Sequence, residues 1–200
     1  MVKWEIDKTK TALIVVDVNN NFFMQGMPFY VPSSDEIVPN LKKLIKTCRD
    51  LKVPVIYLTQ AYRRDGSNIG LAPLLSTLAL PPKGGVACEG TKAVEILDEV
   101  KPEKGDIVIK KIRFSSFFNT DLESTLRCLG VDTVIIVGTV TDCCISTTAF
   151  DAFQRDFKTI VLSDSTVARD EETHKVTLRT IARLVGEVTI TENIIKRLSP

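Results

Sequence analysis

The stretch "IIVGTVTDCCISTTAFDAF", residues 135–153, decides the fold. A run of β-branched residues, the pattern of a buried strand, stops at Gly138. Two adjacent cysteines follow, Cys143 and Cys144, and from 144 to 156 the apolar spacing becomes helical. A strand running through a short turn into a helix is the repeating unit of an α/β domain. In such sheets ligands bind beyond the carboxyl ends of the strands, where these cysteines stand.

Outward from that stretch the same alternation continues. Strands are predicted at 11–18, 53–60, 105–111, 132–138 and 158–164, with a short edge strand at 186–191. Helices are predicted at 34–51, with Ser33 or Ser34 as N-cap, and at 91–100, 120–129, 144–156 and 170–184. The order predicts one α/β domain over residues 1–200 with a mainly parallel, six-stranded sheet. Residues 61–90, rich in Gly, Pro and Ser, form a long connection suited to a lid or a binding loop.

Composition removes several function classes. With 44% hydrophobic and 26% charged residues the chain has the balance of a globular protein. Lys and Arg total 26 against 25 Asp and Glu, a formal charge of +1, and no basic face or charge block points to nucleic acid or an anionic membrane. The N-terminal residues lack a signal-peptide layout and no apolar run reaches a membrane span, so a cytoplasmic location is expected. Five cysteines without framework spacing predict no disulfide scaffold. The single histidine, His174, argues against a multi-histidine metal site; in "RDEETHK" it is expected on a helix surface.

Three chemistry-bearing residues fall at predicted strand ends. Asp17 closes the first strand, Lys111 the third, and Cys143 and Cys144 follow the fourth. A thiolate is the nucleophilic form of cysteine, and a nearby cation or a helix N-terminus favours it. Cys144 would open the helix, Lys111 would supply the cation, and Asp17 would serve as proton acceptor and later donor. On this reading the sulfur is ionised at neutral pH. Each residue alone has a plainer reading, as a turn acid, a solvated lysine or an inert core cysteine.

The segments "ALIVVDVNNNFF", "VIKKIRFSSFFNTDLESTLRCLGVDTVIIVGTVTDCCISTTAFDAFQRDF" and "VLSDST" resemble the isochorismatase-like cysteine hydrolases. That group includes nicotinamidases, N-carbamoylsarcosine amidases and ureidoacrylate and biuret amidohydrolases. The resemblance implies a three-layer α/β/α sandwich of Rossmann-like type. It also implies catalytic roles for Asp17 in D-x-[QN]-x-x-F, Lys111 in K-x-R-[FY]-S-x-F and Cys144 in G-x-x-T-D-x-C, leaving Cys143 at a variable position. It further implies a cis peptide between Thr139 and Val140 and an oxyanion hole from the N–H groups of Val140 and Cys144.

Departures from the family pattern narrow the expectation. Where nicotinamidases carry an Asp-x-His group this chain reads "LTQAYRRDG", so no metal and no cofactor are expected. True isochorismatases lack the cysteine kept here. The expected reaction is hydrolysis of a C–N bond in a small amide, ureido or carbamoyl compound. "AYRRDG" is similar to the loop of N-carbamoylsarcosine amidases, where Arg63 or Arg64 would clamp a substrate carboxylate. Asn19, Phe22, Tyr62 and Phe117 are expected at the pocket and Arg113 as a brace. A homo-oligomer, dimer or tetramer, is also implied. The alternatives are a nicotinamidase-type amidase, or a non-catalytic binding or signalling protein on the same fold.

Overall fold

The computed structural model describes residues 2–27, 29–71 and 87–199. Six strands, β1 (Thr11–Val16), β2 (Val55–Gln60), β3 (Ile107–Lys111), β4 (Thr133–Thr139), β5 (Lys158–Val167) and β6 (Glu187–Thr189), form one sheet in the order β3-β2-β1-β4-β5-β6. Every pairing is parallel, so the sheet is wholly rather than mainly parallel. β6 lies at an edge, as its short run predicts.

Alternation along the buried strands builds two cores. Leu13, Val15, Val55, Tyr57, Ile135, Val137 and Ile160 face one side, where α2 (Val38–Asp50) and α6 (Thr191–Leu198) pack. Ala12, Ile14, Val16, Ile56, Leu58, Val134 and Ile136 face the other, covered by α3 (Leu122–Cys128), α4 (Ser146–Phe153) and α5 (Glu171–Leu184). Helices on both faces make the three layers of an α/β/α sandwich. A four-residue helix, α1 (Asn20–Phe23), follows β1.

Several predicted elements are corrected. Residues 91–100 are not a helix but two single 3-10 turns, Lys92–Val94 and Asp98–Val100. Between them Ile96 bridges Asn19 and the N–H of Leu97 donates to Val18 O at 3.2 Å. Pairing with the chain leaving β1 outweighs local helix propensity. The span 34–51 is a 3-10 turn, Ser34–Ile37, followed by α2; Ser33 precedes the turn but makes no side-chain cap bond. Helix α6, which the prediction omits, buries Ile194 and Leu198 one turn apart. Half of the predicted binding loop, residues 72–86, lies outside the described residues.

The strand order reverses between β1 and β4, which puts a crevice at their carboxyl ends. Gly138 makes the approach there possible. Its φ is +113°, and a Cβ would stand 2.0 Å from Val16 O, so any larger residue would force the central strands apart.

Candidate active site

Asp17, Lys111 and Cys144 meet at this crevice. Asp17 leaves β1 with a φ of 50°, the left-handed region. Its N–H donates to Leu58 O at 2.8 Å, and the Thr139 hydroxyl donates to its carbonyl at 2.8 Å. Asp17 is thus fastened to both flanking strands. The N–H of Gln60, at the end of β2, donates to Oδ1 at 2.7 Å. Oδ2 lies 2.7 Å from Lys111 Nζ and takes no other donor among the described residues.

Lys111, the last residue of β3, reaches across the end of β2 toward Asp17. It is wholly buried, as is Asp17. Its ammonium donates to Cys144 Sγ at 3.3 Å and to Arg113 O at 3.1 Å. One cation therefore joins the carboxylate and the sulfur. Burial is the largest influence on the lysine and works against its charge. Asp17 and Cys144 together outweigh it, so the pKa of Lys111 is raised.

Cys144 lies within a single π turn, Thr141–Ile145, that leads from β4 into α4, not at the first residue of an α-helix. The peptide bond between Thr139 and Val140 is cis. The N–H groups of Cys143 and Ile145 both donate to Val140 O at 3.1 Å. The thiol of Cys144 is pushed well above its ordinary pKa. The hydrogen bond with Cys143 is the first cause and burial the second; the Asp17 carboxylate adds to them against the opposing pull of Lys111. These influences run against the expected thiolate, and the carboxylate paired with Lys111 is that of Asp17.

The structure separates the other predicted site residues. Asn19 is buried, caps α1 by accepting from Asn21 N, and donates to the Thr59 hydroxyl at 3.2 Å. Phe22 is in the core against Phe29, and Phe117 is in the other core against Phe157. Both are packing residues rather than walls of the cavity of about 650 Å³ beside Arg113. Arg63 is exposed, with Nη1 3.4 Å from the Ser67 hydroxyl, and Arg64 donates to Glu89 O at 3.0 Å. Tyr62 does line the cavity and accepts from Gln60 Nε2 at 2.7 Å. Arg113, Phe114, Phe118 and Phe150 line it too. The motif "RFSSFF" holds three of them, yet no periodicity tells which of its phenylalanines turn inward. Among the described residues no group of three His, Cys, Asp or Glu side chains could hold a metal ion.

His174 is half-buried rather than a free surface residue, a further correction. Nε2 lies 3.2 Å from Ser163 O and must carry the proton to bond a carbonyl. Nδ1, 2.8 Å from the Thr141 hydroxyl, is then the acceptor, so the neutral ring steadies the first residue of the Cys144 turn. Burial depresses the His174 pKa against the raising effects of Ser163, Glu171 and Asp142. A depressed histidine contributes stability that is present above the unfolded value and lost as pH falls. Lowering the pH from about 8 to about 5 should therefore cost the wild type more stability than His174→Gln, read from urea midpoints. Parallel slopes for the two proteins would refute this role.

The isochorismatase domain family model matches residues 11–193, and the chain belongs to the isochorismatase family. It is 31% identical over 173 residues to the ureidoacrylate amidohydrolase of Rhizobium rhizogenes, covering 79% of this chain and 70% of that protein. A cysteine hydrolase from Pseudomonas syringae pv. phaseolicola superposes with a TM-score of 0.90 at 35% identity, over 98% of this chain and 96% of that one. The N-carbamoylsarcosine amidase of Thermoplasma acidophilum gives 0.76 at 30% identity, over 92% and 97%. The protein is an isochorismatase-like hydrolase. No helix among the described residues is long and apolar enough to cross a membrane.

Proposed function

We propose that this chain is a metal-independent cysteine amidohydrolase cleaving the C–N bond of a small amide, ureido or carbamoyl compound. The observation that carries this reading is the Lys111 ammonium set between Asp17 Oδ2 at 2.7 Å and Cys144 Sγ at 3.3 Å. The similarity to the ureidoacrylate and N-carbamoylsarcosine enzymes supports the bond type. The donor set does not suit a metal, since an ammonium fills the place a cation would take beside Asp17.

Asp17 Oδ2, free of other donors, takes the Cys144 proton as the sulfur closes on the substrate carbonyl. Lys111 holds the charge that passes from carboxylate to thiolate. The new C–S bond leaves an oxyanion for the N–H groups of Val140 and Cys144. Asp17 returns the proton to the departing nitrogen, the C–N bond breaks, and ammonia leaves a thioester on Cys144. Water, deprotonated by Asp17, then releases the acid and restores the thiol. For a ureido substrate that acid is a carbamate, which falls to an amine and carbon dioxide.

An ammonia-release screen over carbamoyl amino acids, ureido acids, biuret-like compounds and nicotinamide tests the reading. Turnover of at least one ureido or carbamoyl compound, undiminished by exhaustive chelation, is expected. Turnover lost on chelation and restored by zinc, or no ammonia from any compound, would overturn it.

A further inference from the structure

The 650 Å³ cavity is mostly apolar, with Leu71, Phe114, Phe118 and Phe150 among its walls. None of Asp17, Lys111 and Cys144 lines it, but two of its wall residues bond to the segments that carry them. Arg113, which lines it, gives its carbonyl to Lys111 at 3.1 Å. Thr147, also on the wall, donates from its hydroxyl to Cys143 O at 2.7 Å and Cys144 O at 3.3 Å. Tyr62 lines the cavity, and burial raises its pKa against the opposing pull of Lys111 and Arg113. The cavity thus adjoins the segments that carry Lys111 and Cys144.

Arg113 is the unusual group there. Nη1 donates to Asn68 O at 3.0 Å and to Ile112 O at 2.6 Å. Nε and Nη2, which form one edge of the guanidinium fork, meet no acceptor, and Arg113 has no carboxylate partner among the described residues. The other partly buried arginines Arg49, Arg155 and Arg197 each pair with a carboxylate. Among the described residues the one acid on the cavity wall, Asp151, is already held by the Ser115 hydroxyl and by Arg155 at 3.2 Å. A half-buried guanidinium with a free fork edge on an apolar wall matches an anion that arrives with the ligand.

Resting on the reading of Cys144 as nucleophile, we propose that the substrate is a carbamoyl or amide derivative of a carboxylic acid bearing a bulky apolar or aromatic group. Its carboxylate docks on the Nε–Nη2 edge of Arg113. Its apolar body lies among Leu71, Phe114, Phe118 and Phe150, and the scissile carbonyl faces Cys144. Arg113, not Arg63 or Arg64, is then the carboxylate anchor.

Calorimetric titration of the full-length Cys144→Ala protein separates these contacts, with N-carbamoylphenylalanine, N-carbamoylglycine and phenylacetamide as ligands. N-carbamoylphenylalanine should bind about tenfold or more tightly than the glycine compound. Adding Arg113→Gln should weaken N-carbamoylphenylalanine by about tenfold or more and leave phenylacetamide unchanged. Phe118→Ala, at an exposed position, should weaken the phenylalanine compound but not the glycine one. Equal affinity for the two carbamoyl acids, an Arg113→Gln protein that binds N-carbamoylphenylalanine as before, or no binding at all would overturn the proposal. The two readings fail differently. The expected binding pattern with no ammonia from the wild type removes the hydrolase reading alone. Equal affinity for, and equal turnover of, both carbamoyl acids removes the substrate class alone.

Discussion

Cys144→Ala is expected to lower ammonia release by about four orders of magnitude or more, since the proposed thioester forms on its sulfur. The sulfur is the only atom of the cluster placed to bond carbon. Cys143, its neighbour, is partly exposed and packs against both cores. The fold should survive. The change removes one buried atom beside α4, and Lys111 keeps Asp17 at 2.7 Å and Arg113 O at 3.1 Å as partners. Steady-state ammonia release, read beside far-ultraviolet dichroism and a urea melt, checks both halves. Wild-type turnover in a folded Cys144→Ala protein would remove the covalent mechanism, and Cys143→Ala should keep substantial activity.

Lys111→Met should abolish turnover and also cost about 3–5 kcal/mol of stability, because it strands a buried carboxylate. Asp17 and Lys111 are both wholly buried. Without the ammonium, Asp17 keeps only the Gln60 N–H at 2.7 Å on its side chain. Asp17→Asn should be harmful for the mirror reason, leaving the ammonium with a thiol and a carbonyl. The double variant Asp17→Asn, Lys111→Met replaces the ion pair with two neutral groups of similar volume and should recover most of the lost stability with none of the activity. Urea unfolding of the four proteins reads the coupling. If Lys111→Met alone were as stable as the wild type, or if the two losses simply added, the pair would not be the buried, interdependent unit described here. Loss of turnover without loss of stability, the simpler expectation for a solvated lysine at a strand end, does not apply to a side chain without solvent contact.

The depressed Lys–Cys chemistry suggested by strand ends alone needs revision in one respect. A cation beside a cysteine does not by itself ionise it. Here the same cation is already paired with a carboxylate, and burial together with the Cys143 thiol favours the protonated sulfur.

The residues that face a uniform environment were legible in the chain itself. β1, β2 and β4 are continuous β-branched and apolar runs because both faces of a central parallel strand are covered, and their order alone fixes an α/β sheet. Asp17 and Cys144 could be picked out because each follows such a run and Lys111 because it ends β3, and strand ends are where this architecture collects chemistry. What remained hidden depends on contacts between distant segments. Residues 91–100 carry a helical pattern and become two turns because Ile96 and Leu97 pair with the chain leaving β1. His174 sits in a charged stretch and turns inward because Thr141 and Ser163 offer its ring two partners. Phe22 and Phe117 go to the core while Phe114 and Phe118 reach the cavity, a choice made by packing and invisible to composition. Local sequence specifies hydrophobic period and turn chemistry, whereas protonation, free donor edges and the direction of a side chain are set by neighbours that only folding brings together.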